Sequence, residues 1–468
     1  MHKTIYKKEI LNLLQNEIID FYENIRNEKV APCVAPAEIK AFLNEHFDFK
    51  KPMELQEVIL EVEKMLRKWN LHVTHPRYFG LFCPSVTFAS IIADALVALY
   101  NPQLASWNHS PIGNEIEQFS LGFFLEKFGF DPENRIAHFT SGGAESNLTA
   151  TIVALTHKFP GYGKAGLRSL SGQPVFYVSQ EAHHSFLKIA HMTGLGRESL
   201  RVIKTDNNYT MEIEDLKEKI REDTHKGFIP FMVVGTAGTT SAGMIDPLGE
   251  IAELCRKNDL WFHVDAAWGG AAILSDRLGK YLAGIEKSDS ITFDAHKWLS
   301  VPMGAGMFFC RHIEAVKKSF YSETTYMPGK VKETTDYYSS TIQWSRRFIG
   351  LKLFMTLAEL GEGGLAEMIE KQGELGKYLS IELQKSGWKI ITESPLAVVC
   401  FTHEKFGENI TLMKQLVDKL YERGRAWIST VILKEKTPAF RACISSYRAE
   451  KSDVDVLIKE LNVLLSTY

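Results

Sequence analysis

The chain has 468 residues, 45% hydrophobic and 24% charged, enough apolar material for a sizeable core in two or three units and too much for one small module. Its 54 Lys and Arg stand against 57 Asp and Glu, a formal charge of -3, so no global field draws in nucleic acid or an anionic membrane. The six cysteines (Cys33, Cys83, Cys255, Cys310, Cys400 and Cys443) lie far apart with no Cys-x-x-Cys pair, which suggests neither a metal site nor a disulfide framework and fits a reducing compartment.

The opening run MHKTIYKKEILNLLQNEIIDFYENIRN interleaves charges with apolar residues at helical spacing and lacks the continuous apolar centre of a signal peptide. The longest candidate membrane span, Ser90 to Tyr100, is too short and carries Asp94. A cytoplasmic protein with no membrane or nucleic-acid partner is expected. Residues 1–79 read as a helical segment punctuated by Pro32, Pro36 and Pro52, with packing between subunits as its expected task. From 80 to 350, the runs RIAHF, PVFYVS, RVIKT, FMVVGT, LWFHVDA, SITFDA and GMFFC alternate with helical patterns. Such alternation predicts an α/β unit with a mainly parallel sheet covered by helices on both faces. Within it, Tyr321 to Ser340 is a polar stretch too long for a plain connection. From 351 to 468, helices around AVVCFTH, AWISTVIL and AFRACIS predict a smaller α+β domain.

Three short segments carry chemistry. Thr140-Ser141-Gly142-Gly143-Ala144-Glu145-Ser146-Asn147 follows a strand-like run and opens a helix. Its free backbone N–H groups and helix dipole suit a phosphate, although an ordinary capped strand-to-helix turn reads the same way. It is neither a Walker loop nor a dinucleotide fingerprint. His263-Val264-Asp265-Ala266-Ala267 ends an apolar strand, where ligands of open α/β sheets bind. A buried Asp265 needs a partner, either an arginine or helix N-terminus or a protonated pyridine nitrogen. Asp294-Ala295-His296-Lys297-Trp298 follows another strand, 32 residues on, a length that accommodates a helix-containing crossover within one sheet. Lys297 and Asp265 could then meet opposite ends of one flat cofactor, and lysine forms imines with carbonyl cofactors.

With these segments, HPRYFGLFCPS, SPIGNEIEQ, TSGGAESN, the Ala-His of QEAHHS, AGTTSAGMIDP, HVDAAWGG, DAHKW and AFRACIS make the chain, from about Trp69 onward, resemble the group II pyridoxal phosphate decarboxylases. That family includes aromatic amino acid, glutamate and histidine decarboxylases. The resemblance implies a fold-type I transferase fold, pyridoxal 5'-phosphate as cofactor, no metal, and a homodimer with active sites at the subunit interface. It makes Lys297 the Schiff-base lysine, Asp265 the pyridinium partner and His183 the residue flat against the ring. Ala267 would pack beside the ring, with Thr240 near its substituents. Gly143, Ala144 and His296, with Ser290, would contact the phosphate. Tyr326, in the polar stretch, would reach the neighbouring subunit's site as proton donor. Phe82, Cys83, Pro84 and Trp107 would form the substrate pocket, and Arg441 a carboxylate clamp. The apolar and aromatic character of that pocket points to an aromatic L-amino acid. Acidic or diamino substrates, a transaminase or carbon-carbon lyase, and a non-catalytic pyridoxal phosphate protein are the alternatives. Two positions depart from the family pattern: Gly142-Gly143-Ala144 replaces hydroxyl-bearing residues, and Asp294 stands where many relatives have Asn.

Overall fold

The computed structural model describes the chain except for Met1, Glu323, Tyr326, Pro328, Gly329 and Lys330, and gives only the backbone of residues 2–5. Tyr326, the expected proton donor, therefore lies outside the described residues. Every strand-like run of the first large unit is a strand: β1 Ile136–Thr140, β2 Pro174–Ser179, β3 Leu200–Ile203, β4 Ile229–Thr236, β5 Trp261–Asp265, β6 Ser290–Asp294 and β7 Gly306–Cys310. They form one sheet in the order β1-β7-β6-β5-β4-β2-β3. The neighbours from β6 through β5, β4 and β2 to β3 are parallel. β7 runs antiparallel to both β6 and β1.

The near-continuous apolar sequence of these strands follows from burial on both faces. Side chains alternate between two packed clusters, as a period of two requires. Phe176, Val178, Met232, Val234 and Phe308 face one side with Ala150, Val153 and Leu155 of the helix Gly143–Lys158. Val175, Tyr177, Val233, Phe262, Val264, Ile291 and Phe293 face the larger core on the other. The mainly parallel α/β fold expected from the sequence is what the chain adopts.

Before the sheet come α1 (His2–Asn24), α2 (Pro36–His46), α3 (Leu55–Trp69), α4 (Phe88–Tyr100) and α5 (Pro111–Lys127), and the helix after β1 is α6 (Gly143–Lys158). Arg67 of α3 ties α1 down through Glu17 and Asp20, both at 2.6 Å. Beyond the helical stretch Gly350–Lys385, two helices that meet at a kink at Gly361, the strands β8 (Lys389–Ile390), β9 (Val398–Thr402), β10 (Ser429–Leu433) and β11 (Thr437–Cys443) make an antiparallel sheet in the order β10-β11-β9-β8. The two-residue β8 left no pattern in the sequence. The ends of the chain are clasped together: the Tyr22 and Tyr447 hydroxyls lie 2.6 Å apart, and Arg26 donates to the Arg448 carbonyl at 2.6 Å. Among the described residues, no helix is long and apolar enough to cross a membrane.

Candidate active site

A pocket opens where the carboxyl ends of β4, β5 and β6 meet the start of α6, the crevice where open α/β sheets take ligands. Gly143, Ala144, His183, Thr240, Asp265, Ala267 and Lys297, all named as candidate site residues, line it together. Asn147, Thr236, Gly238, Trp268 and Asp294 complete the lining.

The turn from β1 into α6 fits closely over the sheet. A Cβ on Gly306, the first residue of β7, would meet Thr140 Oγ1 at 2.4 Å and Gly142 Cα at 2.5 Å, so only glycine lets the turn pass. A Cβ on Gly143 would lie 3.0 Å from Asp294 Oδ2 and 3.2 Å from Ala267 Cβ. The turn therefore presents backbone rather than side chains, and the helix dipole of α6 points its positive end into the pocket. Glu145 closes the turn by accepting the Ser141 N–H at 2.8 Å.

Asp265 is 5% exposed. Asn147 Nδ2 donates to its Oδ2 at 2.9 Å and the Ala267 N–H to its Oδ1 at 3.1 Å. Among the described residues it has no ion-pair partner within 4 Å, so its charge sits buried with hydrogen-bond donors but no cation, a costly arrangement unless a ligand supplies one. Lys297 Nζ is 3.1 Å from Asp294 Oδ2. Asp294 is 1% exposed, and its Oδ1 is buried without a hydrogen-bond partner among the described residues. The carboxylate that departs from the family pattern thus pairs with the lysine and faces the phosphate turn. His183 presents its ring to the pocket, its Nδ1 accepting the Ser185 N–H at 3.2 Å. Burial lowers its pKa, with the charge of Asp265 acting the other way.

His296 stands behind the lining. Its Nδ1 accepts the Ala305 N–H at 3.1 Å and its Nε2 lies 3.7 Å from Asp294 Oδ2. Its Cε1 is 3.5 Å from where a Gly142 Cβ would be, so it supports the turn from below. Ser290 is a correction. It begins β6, four residues before Asp294, so at about 3.3 Å per residue it is some 13 Å from the pocket end of the strand. Its hydroxyl is engaged with Trp261 Nε1 at 2.9 Å and His263 Nδ1 at 2.8 Å, and it cannot contact a phosphate at the turn.

One wall of the site is aromatic. Trp268 stacks on Trp298 with centroids 5.0 Å apart, and Phe82 leans on Trp268 at 4.5 Å. Cys83 is half-buried; burial raises its thiol pKa, and nearby Lys297 opposes the shift. Arg441 is 4% exposed and its guanidinium lies 5.8 Å from the Phe82 ring centre. It donates to the carbonyls of Gly80 at 3.0 Å and Thr240, and to Ser429 Oγ at 3.0 Å. Three of its five N–H donors therefore brace this wall, leaving two for a ligand. Pro84 is buried and Trp107 half-buried. The Trp107 indole is held by Glu115 at 2.7 Å and its backbone N–H by Asp336 at 2.9 Å. None of Phe82, Pro84 and Trp107 lines the pocket; Phe82 adjoins it through Trp268, against which it packs.

Residues 36–404 match the family model "Pyridoxal-dependent decarboxylase conserved domain". The chain belongs to the pyridoxal-dependent decarboxylase family. Acidic amino acid decarboxylase GADL1 of Xenopus tropicalis is similar, 29% identical over 98% of this chain and 92% of its own length. Aromatic-L-amino-acid decarboxylase of Bacillus atrophaeus is 27% identical over 96% and 93%. Among solved structures, mouse CSAD in its apo form superposes with a TM-score of 0.90 at 26% identity, covering 98% and 99% of the two chains. The chain is thus a pyridoxal phosphate-dependent amino-acid decarboxylase.

The residues present fit that cofactor: an amine at Lys297, a buried carboxylate lacking a cation at Asp265, and a helix start open to a phosphate. When bound, pyridoxal phosphate supplies the electron sink for the bond that breaks. Asp265 would hold a proton at the ring nitrogen, and Lys297 Nζ would carry the cofactor. His183 would orient the ring from its open face, and the wall built on Trp268 excludes water.

Signals for two of the site's residues were present but unread. Asn147 was part of the recognised turn, yet its contact lies 118 positions away and depends on how α6 docks. Trp268, at the edge of HVDAAWGG, reads as ordinary core.

Proposed function

We propose that this decarboxylase acts on an aromatic L-amino acid, releasing the amine and carbon dioxide, and that it works as a homodimer. The observation that carries the substrate reading is Trp268 in the lining of the pocket, with Phe82 packed against it at 4.5 Å between ring centres. A flat apolar side chain gains area and ring–ring contact there. An acidic side chain would need a cation, and the guanidinium beside this wall is largely committed to Gly80, Thr240 and Ser429. The similarity to an acidic amino acid decarboxylase makes acidic substrates the second reading. Purified protein given tryptophan, tyrosine, phenylalanine, aspartate, glutamate and cysteine sulfinate separately decides between them by amine and carbon dioxide release. An aromatic substrate should lead in kcat/KM by at least about tenfold, the scale at which one well-filled pocket discriminates. A lead for an acidic one overturns the aromatic reading.

The dimer reading is supported by apolar surface on α4 and α5. Leu99, Tyr100, Ile112 and Phe119 are 75%, 77%, 70% and 75% exposed. Tyr100 and Ile112 line a groove completed by Leu96, Pro102, Phe348 and Leu351. Monomers rarely leave such a patch open, and a second copy would cover it. Sedimentation should give twice the chain mass, and Tyr100→Asp with Ile112→Asp should give single chains. For Tyr326 we retain the proton-donor role that the resemblance implies. Tyr326→Phe should bind cofactor and substrate normally and make amine slowly; amine formed at the parent rate excludes it.

A further inference from the structure

Behind Asp265 runs a line of side-chain hydrogen bonds whose direction is fixed at both ends. The carboxylate, wherever ionised, only accepts, and the Trp261 indole only donates. Asn147 must therefore turn its Nδ2 to Asp265 Oδ2, at 2.9 Å. Its Oδ1 then faces His263 Nε2 at 3.0 Å, so that nitrogen carries the hydrogen. His263 Nδ1 is left with a lone pair and accepts from the Ser290 hydroxyl at 2.8 Å. Ser290 Oγ in turn accepts the Trp261 Nε1–H at 2.9 Å. Among the described residues, the one other hydrogen-bond partner of His263 Nε2 is Thr292 Oγ1, at the longer distance of 3.3 Å. Asn147, His263 and Ser290 are all at most 1% exposed, so bulk solvent does not reach them. The reverse arrangement would set the Asn147 carbonyl against the carboxylate, two acceptors at hydrogen-bond distance.

We propose that Asn147 and His263 are positioning residues for the cofactor: together with Ser290 they hold the Asp265 carboxylate oriented toward the ring nitrogen, with His263 locked as the neutral Nε2–H tautomer. Burial lowers the His263 pKa to about 4, consistent with a neutral ring. The inference rests on the pyridoxal phosphate assignment and not on which amino acid is decarboxylated.

The test compares two ligands on cofactor-stripped full-length protein: pyridoxal phosphate and its 1-deaza analogue, which has C–H in place of the ring nitrogen. Asn147→Leu removes the hydrogen bond to Asp265 while keeping similar bulk, and should weaken pyridoxal phosphate about tenfold or more, the scale of a hydrogen bond to a charged group. The deaza analogue has no nitrogen to hold and should bind the variant as it binds the parent. His263→Leu should reproduce the selective loss, and His263→Gln, whose amide can still donate to Asn147 Oδ1, should recover most of it. Equal weakening of both ligands, or no weakening of pyridoxal phosphate, overturns the proposal. Selective histidine 15N spectra of the unsubstituted protein give a second arm if the leucine variants fail to fold. The His263 signal should be that of the Nε2–H tautomer at neutral pH, and an Nδ1–H signal overturns the proposal equally.

Discussion

At Asp265 the protein has placed a carboxylate at 5% exposure, supplied it with two N–H donors and, among the described residues, left it no counter-ion. Asp265→Asn keeps the shape but removes the charge that would keep a ring nitrogen protonated. Some cofactor should still bind, while turnover falls by at least about two orders of magnitude, a loss typical of removing a preorganised electrostatic group; steady-state kinetics of the refilled variant measures it. Asp294 works in the opposite sense. Its Oδ2 pairs with Lys297, yet its other oxygen is unpartnered beside the phosphate turn, where a second negative group is unfavourable in a low dielectric. Asp294→Asn should therefore tighten pyridoxal phosphate relative to pyridoxal, which has no phosphate. Parallel titrations check this, and equal shifts for both ligands would place the effect at Lys297 instead. Lys297 and Asp265 were readable because their chemistry needs few residue types in a fixed order along two strands. Ser290 was misassigned for a geometric reason: strand polarity puts it at the opposite end of β6 from the pocket, which spacing in a sequence does not reveal.

Elements set where those side chains stand. The strands were legible because burial on both faces leaves uninterrupted apolar runs, such as FMVVGT for β4. Their order in the sheet, with β7 turned antiparallel between β1 and β6, depends on pairings between distant segments and left no mark. The segment that follows the polar stretch returns to the body on a buried ion pair, equally invisible in the sequence. Arg346 Nη1 meets Glu117 Oε2 of α5 at 3.1 Å, with both side chains 0% exposed. Arg346 also donates to the Phe139 carbonyl at 3.1 Å and stacks 4.0 Å over Tyr337. From the same segment Gln343 reaches Glu145 in the first turn of α6, at 2.8 Å. Removing one partner leaves a charge buried alone, so Glu117→Gln should cost about 3–5 kcal/mol. Replacing both partners with Glu117→Met and Arg346→Leu should cost less, because no charge is then stranded. Urea midpoints of the two variants test the ordering.

Over the whole molecule, the buried titratable groups make stability depend on pH in two opposing ways. Burial lowers His75 and His138 to about 3 and His263 to about 4. Each contributes stability that is present above the unfolded value near 6.5 and lost as pH falls toward the folded value. Asp246, raised by burial to about 6, does the reverse. It accepts N–H groups of Met211 and Thr236 at 2.7 and 2.8 Å, and its contribution is present below the unfolded value near 4 and lost as pH rises through 6. Between pH 4 and 6 these three histidines, joined by His157, His183 and His296, which burial also lowers, oppose Asp246 and Glu117, which burial raises, so unfolding takes up protons on balance and the protein should weaken with acid. Urea midpoints at pH 7, 6 and 5 should fall in that order, and more steeply in Asp246→Asn, which lacks one of the opposing groups. A further consequence lies in how the aromatic wall is hung. The segment carrying Phe82 is held through Phe79, whose N–H binds the Trp427 carbonyl at 2.8 Å and whose carbonyl takes the Cys443 N–H at 2.7 Å. The residues lining the pocket end at Lys297. As the chain leaves the ribosome, all the residues that line the pocket therefore emerge well before the last strand. The order of synthesis puts the lining of the pocket ahead of the strand that anchors the Phe82 segment.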